Sequence, residues 1–339
     1  MYSKLIPPDS EKEILENWLY TDKVYVSILC ITYNQELYIK DALNSFLSQV
    51  TNFKFEIIIH DDCSNDQTSH ILKLYQEKYP NIISIITPDI NQYNKHPNLP
   101  FYNIINASNG KYAAFCEGDD YWISEEKLQL QFEIMEKNDR LSICIHDAFI
   151  ESHDSNNRYK FIVNNIEQST SSTLPFSYYS HEYTQLSPTA SYFIRNNEFF
   201  KKITTDFLFA PCIDLYWEAL LGANVGYGFI NKKLSVYRLG AINSTYNTNN
   251  NLMKKILFKQ RVIDYLDFSL TLLDERSKNV VEVKRNKMIS NLIYFEAKAR
   301  VKGSLYKWFM FVLKQKKITF NDLKTLRFFI RWNQKKNEI

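Results

Sequence analysis

Apolar runs rich in β-branched residues alternate with stretches of helical period through the first half of the chain. Val24–Thr32 (VYVSILCIT) is almost continuously apolar, the pattern of a strand covered on both faces. Tyr33-Asn34-Gln35 breaks that run, and Glu36–Gln49 reads as a helix striped by Leu37, Ala42 or Leu43, Phe46 and Leu47. Phe55–His60 predicts a second buried strand, and a turn rich in cap residues follows at Asp61-Asp62-Cys63-Ser64-Asn65. The next helix carries Leu72, Tyr75 and Tyr79 on one face and stops at Pro80. Ile82–Thr87 predicts a third strand, Pro88–Pro100 a polar loop, Phe101–Ala107 a helix and Lys111–Cys116 a fourth strand. Ser124 is placed to cap a further helix, with Glu125 and Glu126 in its first turn and Leu128, Phe132 and Met135 as its stripe. Strands alternating with helices at this spacing predict βαβ units and an α/β fold built on a mainly parallel sheet.

Beyond a strand at Leu141–Ile150 the pattern loosens. Ser152–Thr173 reads as loop with a short strand at Tyr159–Val163, Ala190–Arg195 and Lys233–Arg238 as strands, and Pro211–Leu221 as a helix. The Asn-rich run Asn243–Asn251 is the best linker. From Leu252 to Trp332 the chain reads as several amphipathic helices.

Charge sharpens this division. The net charge of +3 hides a body, residues 1–250, with 20 Lys/Arg against 30 Asp/Glu, and a remainder with 21 against 8. Five widely spaced cysteines without a CxxC predict free thiols in a reducing compartment. The first eighteen residues have neither a basic nor an apolar region of a signal peptide, and no apolar stretch is long enough to span a bilayer.

The chemistry concentrates in two acidic strand ends. Glu117-Gly118-Asp119-Asp120 follows the fourth predicted strand, and Asp61-Asp62 follows the second. Ligands of parallel α/β sheets sit at the carboxyl ends of the strands, which brings these acids together with Thr32-Tyr33-Asn34. Clustered carboxylates suit Mg²⁺ or Mn²⁺, which share their coordination with substrate phosphates. A solvated acidic turn is the bland alternative. No GxGxxG or Walker A glycine cradle is present.

The series VSILCITYNQELYIKDALNSFLSQ, FEIIIHDDCSNDQT and GKYAAFCEGDDYWISEEKLQLQ resembles, in order and spacing, the nucleotide-sugar domain of inverting family 2 glycosyltransferases of the GT-A fold. The likeness is clear from Val24 to about Ile150 and weaker to about Ser244, through PTASYFIRN, CIDLYWEALLGANVGYGFI and LSVYR. It implies a GT-A domain over 1–245, with a donor half at 24–150 and an acceptor half at 151–245, and a basic helical region over 246–339. It places Thr32 and Asn34 near the nucleotide base and Asp62 on uracil, with Ser64 shaping the turn. Glu117, standing where the family often has Asp, joins Asp119 at the nucleotide sugar, and Asp119 and Asp120 fall at the metal. Asp214 falls at the catalytic base, although an acid in a first helical turn also suits the helix dipole. Arg238 falls on the diphosphate, and Gly240 stands where the family often has His.

The resemblance implies transfer of a sugar, with inversion, from a nucleotide diphosphate sugar, UDP-linked by analogy, to a hydroxyl of a glycan or lipid-linked acceptor in surface polysaccharide synthesis. Mn²⁺ or Mg²⁺ is the implied cofactor. The alternatives are a nucleotidyltransferase, which normally needs a glycine-rich loop where Tyr33-Asn34-Gln35-Glu36 stands, and a nucleotide-sugar-binding protein of the same fold without catalysis. Trp122 reads as packing beneath the acidic loop in preference to a sugar-stacking platform, and His146 as a residue of the acceptor cleft. In the tail, Lys314, Lys316, Lys317, Lys324, Arg327 and Arg331 intermix with Trp308, Phe309, Phe311, Phe328, Phe329 and Trp332. That mix fits either a packed helical bundle or a helix lying on an anionic membrane, which would put a cytoplasmic protein on the inner face of the plasma membrane. No nucleic-acid recognition motif accompanies the charge.

Overall fold

The computed structural model describes residues 3–152, 158–161, 172–180, 185–242, 252–299, 301–314 and 325. They fall into two compact units, Met1–Phe209 with Ile213–Asn247, and Ala210–Cys212 with Thr248–Ile339.

The first unit is built on a mixed sheet. Its strands in chain order are β1 (Val26–Thr32), β2 (Phe55–Asp61), β3 (Ile83–Ile86), β4 (Tyr112–Phe115), β5 (Tyr121–Trp122), β6 (Ile143–Ser152), β7 (Arg158–Phe161), β8 (Thr173–Leu174), β9 (Phe193–Arg195) and β10 (Tyr227–Leu239). Their order across the sheet is β3-β2-β1-β4-β9-β6-β10-β5, with β7 on β6 and β8 on β10. The first four are parallel, and so are β6 and β10, whereas β9 joins the halves by antiparallel pairing to both β4 and β6. Helices α2 (Ile39–Leu47), α3 (Thr68–Lys78) and α4 (Leu99–Ala107) connect the parallel strands, and α1 (Glu11–Leu15) precedes them. Then come α5 (Lys127–Lys137), α6 (Glu198–Asp206) and α7 (Ile213–Gly222).

Alternation explains the packing. Ile28, Ile57 and Ile59 lie in one buried cluster with Leu43, Phe46 and Leu47 of α2. Near-continuous apolarity in β1 and β2 follows from burial on both faces. Trp122 is fully buried, its ring 4.9 Å from that of Phe46, so it packs beneath the acidic loop as its sequence setting implies. Tyr112 and Phe193 stack at 4.9 Å across the β4–β9 junction, one of a class of pairs that adds about 0.5–1.5 kcal/mol beyond burial.

Several boundaries differ from the sequence expectation. The helix after β1 begins at Ile39, because Gln35–Tyr38 forms a turn closed by the Tyr38 and Ile39 amides on the Gln35 carbonyl. Ser124 does not cap α5. The helix starts at Lys127, and the Ser124 hydroxyl accepts from Glu126 N–H in the preceding turn. Residues 189–191 form a 3₁₀ turn, which leaves only Phe193–Arg195 as strand. Lys233–Arg238 is part of a thirteen-residue strand whose register with β6 shifts on either side of Lys233. His146 is completely buried, its Nδ1 2.8 Å from the Asp147 carbonyl, and lines no cleft. The linker at 243–251 and most of the 152–173 loop lie outside the described residues.

The second unit contains α8 (Leu252–Leu270), α9 (Glu275–Lys298) and α10 (Ser304–Lys314). Asp274 caps α9 by accepting from Ser277 N–H. Arg285 of α9 forks onto Asp267 of α8, and Lys307 of α10 reaches Glu296 of α9 at 2.9 Å. Lys316, Lys317, Lys324, Arg327, Phe328, Phe329, Arg331 and Trp332 lie outside the described residues. Among those described, no helix is long and apolar enough to cross a membrane.

Candidate active site

Parallel register aligns the acidic ends. Thr32 pairs with Asp61 and Leu29 with Phe115, so β1, β2 and β4 finish side by side. The ends are then stitched together by Asp62 N–H to the Thr32 carbonyl at 2.9 Å and Gly118 N–H to the Ile31 carbonyl at 3.0 Å. Gly118 has a steric reason. A Cβ there would stand 2.4 Å from Gln35 Oε1 and 2.8 Å from Thr32 Oγ1. Those two atoms are themselves paired, the Thr32 hydroxyl donating to Gln35 Oε1 at 2.8 Å. Gln35 also helps hold the Asp119 carboxyl down against the effect of burial, and a side chain on Gly118 would strike its amide. Sequence reading treated Gln35 only as a break in the apolar run.

Glu117, Asp119 and Asp120 crowd one another in a desolvated setting. Burial, then Asp119 and Asp214, push Glu117 up to about 8. Burial raises Asp119 against the opposing pull of Arg238 and Gln35. It lifts Asp120 further, with help from Asp119 and Glu117. Burial also raises the Tyr237 phenol, and Asp120, Glu117, Asp119 and Asp214 add to it. Asp214, in the first turn of α7, therefore belongs to the same electrostatic cluster, with its Oδ1 accepting from Leu215 N–H at 3.0 Å.

Carboxyls forced toward their protonated forms by burial and mutual repulsion are a donor set that a divalent cation would complete. Among the described residues no three side chains converge to hold a metal by themselves. Any ion held here would need oxygens from a bound ligand and water to complete its shell. Asp120 is engaged already, since its Oδ1 accepts from Arg238 N–H at 2.8 Å and it is 1% exposed. Asp119 is 8% exposed.

Arg238 lies beside the acidic loop, but its guanidinium faces protein partners. It donates to the Asp119 carbonyl at 3.0 Å and to Asp41 Oδ2 at 2.5 Å, and lies 3.5 Å from Glu151 Oε2. Two residues on, Gly240 has φ +80°, a left-handed conformation that side chains resist. The turn out of β10 thus accounts for glycine where the resemblance expects His.

Asn34 and Asp62 belong to the flanking turns. Asn34 (φ +50°) receives Asn65 N–H on its Oδ1 at 2.8 Å, and its own N–H donates to Ser64 Oγ at 2.8 Å. Asp62 accepts Gln92 N–H at 2.6 Å and Tyr93 N–H at 2.9 Å, one on each oxygen, so it anchors the loop after β3. Asp61 is the turn acid, receiving Ser64 N–H and the Ser69 hydroxyl. Asn34 and Asn65 line a cleft of 280 Å³ with Tyr38 and Ile242.

The fold is thus an α/β one, a mixed sheet whose parallel strand ends carry an acidic loop over a turn without glycines. The family model "Glycosyl transferase family 2" matches residues 27–203, and the chain belongs to that family. It is 34% identical over 104 residues to the Staphylococcus aureus poly(ribitol-phosphate) beta-N-acetylglucosaminyltransferase TarS, covering 30% of this chain and 17% of that protein. It is 34% identical over 121 residues to Bacillus subtilis TuaG, named for teichuronic acid biosynthesis, covering 36% of this chain and 44% of that protein. The chain thus spans less than half the length of these relatives. In fold it is similar to S. aureus TarS 1-349 in complex with UDP-GlcNAc (TM-score 0.60, 18% identity, 90% of this chain and 79% of that one). It is similar also to the Pyrobaculum calidifontis mannosyltransferase PcManGT in complex with GDP-Man and Mn²⁺ (TM-score 0.54, 11% identity, 95% and 92%).

Proposed function

We propose that the protein transfers a sugar from a UDP-sugar, with inversion, to a hydroxyl of a glycan or lipid-linked acceptor in surface polysaccharide synthesis. The observation that supports this reading is the alignment of the acidic ends of β1, β2 and β4 by parallel register, together with the influence of the Asp214 charge on Glu117. Asp214 would act as base toward an acceptor at the acids that suit a diphosphate and its cation. UDP as the nucleotide and N-acetylglucosamine as one candidate sugar are supported by the TarS likeness.

Asp119 and Asp120 would hold Mn²⁺ or Mg²⁺, which when bound offsets the charge of the departing diphosphate. Thr32, Asn34 and Asp62 would bind the nucleoside. The lone pairs left on the Asp62 oxygens accept a ring N–H while the loop amides stay bonded. Glu117 and Arg238 would orient the sugar and diphosphate, and excluding water from this buried loop strengthens each contact. Asp214 would take the acceptor hydroxyl proton as its oxygen attacks the anomeric carbon from the face opposite the leaving group. The 1–245 region supplies all of these groups.

The test is a screen of nucleotide sugars with Mn²⁺ for nucleotide release, repeated with Asp214→Asn. Release that falls by roughly 10²-fold in the variant, with UDP affinity unchanged, supports the base assignment. Binding without turnover of any donor would favour a non-catalytic binding protein.

A peripheral membrane position is supported by one further observation. Leu305, Tyr306, Phe309 and Leu313 are exposed on α10 at 44%, 68%, 53% and 64%, within a region carrying 21 basic against 8 acidic residues. Such a helix fits an anionic lipid surface, and its binding to phosphatidylserine vesicles should weaken as salt rises. Vesicles that fail to bind the chain at low salt would exclude it.

A further inference from the structure

Helix α7 presents two acids one turn apart, Asp214 and Glu218, which i,i+4 spacing sets on the same face. Their environments differ. Glu218 is completely buried. Its carboxylate receives Leu186 N–H on both oxygens at 2.8 and 2.7 Å, Ser187 N–H at 3.1 Å and the Tyr192 hydroxyl at 2.7 Å. These donors suit an acceptor-only group. A glutamine would turn its NH₂ toward at least one of them.

The clamp leads to the acidic loop. Tyr192, whose hydroxyl holds Glu218, accepts Phe115 N–H on its own carbonyl at 3.1 Å, and Phe115 ends β4 two residues before Glu117. Ser187 donates its hydroxyl to the His146 carbonyl of β6 at 2.6 Å. The helix backbone is fixed as well. The Tyr179 hydroxyl donates to the Leu215 carbonyl at 3.1 Å and the Tyr227 hydroxyl to the Glu218 carbonyl at 3.0 Å. The Tyr227 ring needs Gly222, where a Cβ would stand 2.4 Å from its Cζ.

We propose that Glu218 is a positioning residue, which through Tyr192 fixes Asp214 relative to the strand end that carries Glu117 and Asp119. This rests on the reading of Asp214 as base. A reacting group displaced by about 1 Å can lose about 10²-fold in rate, so a helix start that carries one profits from a rigid anchor a turn away.

The test uses the full chain carrying Glu218→Gln, Tyr192→Phe or Asp214→Asn, with the donor turned over fastest in the screen above. Glu218→Gln should lower kcat for nucleotide release at least 10-fold while the UDP–Mn²⁺ Kd stays within twofold. Tyr192→Phe, which removes one of the bonds, should shift kcat less in the same direction. A Glu218→Gln enzyme with wild-type kcat overturns the proposal. So does one whose UDP affinity falls as far as its kcat, because that marks a residue of the general core. Should Glu218→Gln not fold, the same split in Tyr192→Phe decides. Full turnover by Asp214→Asn would remove the base reading itself. An inactive Asp214→Asn beside a fully active Glu218→Gln would remove only the positioning role.

Discussion

Arg238 and Asp41 form an ion pair of 2.5 Å, with the guanidinium carbon 5.1 and 4.4 Å from the ring centres of Tyr38 and Tyr121. The group assigned to the diphosphate is thus held by a protein carboxylate from the first turn of α2. A phosphate bound by Arg238 as proposed would compete with Asp41 for the Nη2 donor. Asp41→Asn keeps an acceptor but removes the charge, so UDP with Mn²⁺ is expected to bind about fivefold tighter, on the order of 1 kcal/mol. Calorimetry measures it. Weaker binding in the variant would mean that the pair itself is the working geometry of Arg238.

Asp120 holds the backbone of β10, and under the proposed function it would hold a cation as well. Its Oδ1 accepts Arg238 N–H at 2.8 Å, and an asparagine oxygen can do the same. Asp120→Asn should therefore melt near the wild type while nucleotide release drops by roughly 10²-fold, a loss typical of removing one electrostatic contact to the transition state. EDTA should inhibit the wild type and Mn²⁺ restore it. Wild-type turnover in the variant would take Asp120 out of the metal assignment.

Cys63 adopts φ +67° in the turn after β2. Left-handed backbone costs an ordinary residue about 1–2 kcal/mol, and the thiol offers little in return, with Sγ 3.9 Å from the Asp89 carbonyl. Cys63→Gly removes the strain but gains unfolded-chain entropy, so a net stabilisation of about 1 kcal/mol is expected in urea denaturation. A less stable variant would show that the thiol contributes packing that its one polar contact does not reveal.

The parallel half was legible because each signal was local. Val24–Thr32 and Phe55–His60 are apolar throughout since both sheet faces are covered, and the acidic ends follow them directly. What escaped was non-local. β5 is two residues long and exists only by pairing with β10. The 3₁₀ turn at 189–191 looks like strand because its residues are buried by tertiary contacts. Gln35 and Glu218 gave no motif, and their roles arise from partners farther along the chain, Thr68 and Gly118 for one and Leu186 and Tyr192 for the other. In the candidate site the carboxylates could be read from order and spacing. The capture of Arg238 by Asp41 could not, because it joins residues nearly two hundred positions apart.

Lys127 is fully buried with its ammonium 3.8 Å from the centre of the Trp122 ring and no hydrogen-bond partner for Nζ. Burial lowers it from 10.5 to about 7, against the smaller opposing effects of Cys116 and Cys144. Between those two values the unfolded chain holds a proton that the folded chain lacks, so stability from this group rises with pH across that window. Below about 7 its penalty is constant and full. His146, lowered by burial and then by Lys127 to about 3, adds a separate rise from there to its ordinary value of 6.5. Lys127→Met keeps the apolar stem and removes the charge. It should stabilise the protein by several kcal/mol at pH 7, at roughly 1.4 kcal/mol for each unit of displacement, and by little near pH 10. Urea denaturation of both proteins at pH 7 and pH 9.5 reads the difference directly. A variant less stable than the wild type at both values would mean that the cation–π contact with Trp122, worth about 2 kcal/mol when desolvated, outweighs the cost of burying the ammonium.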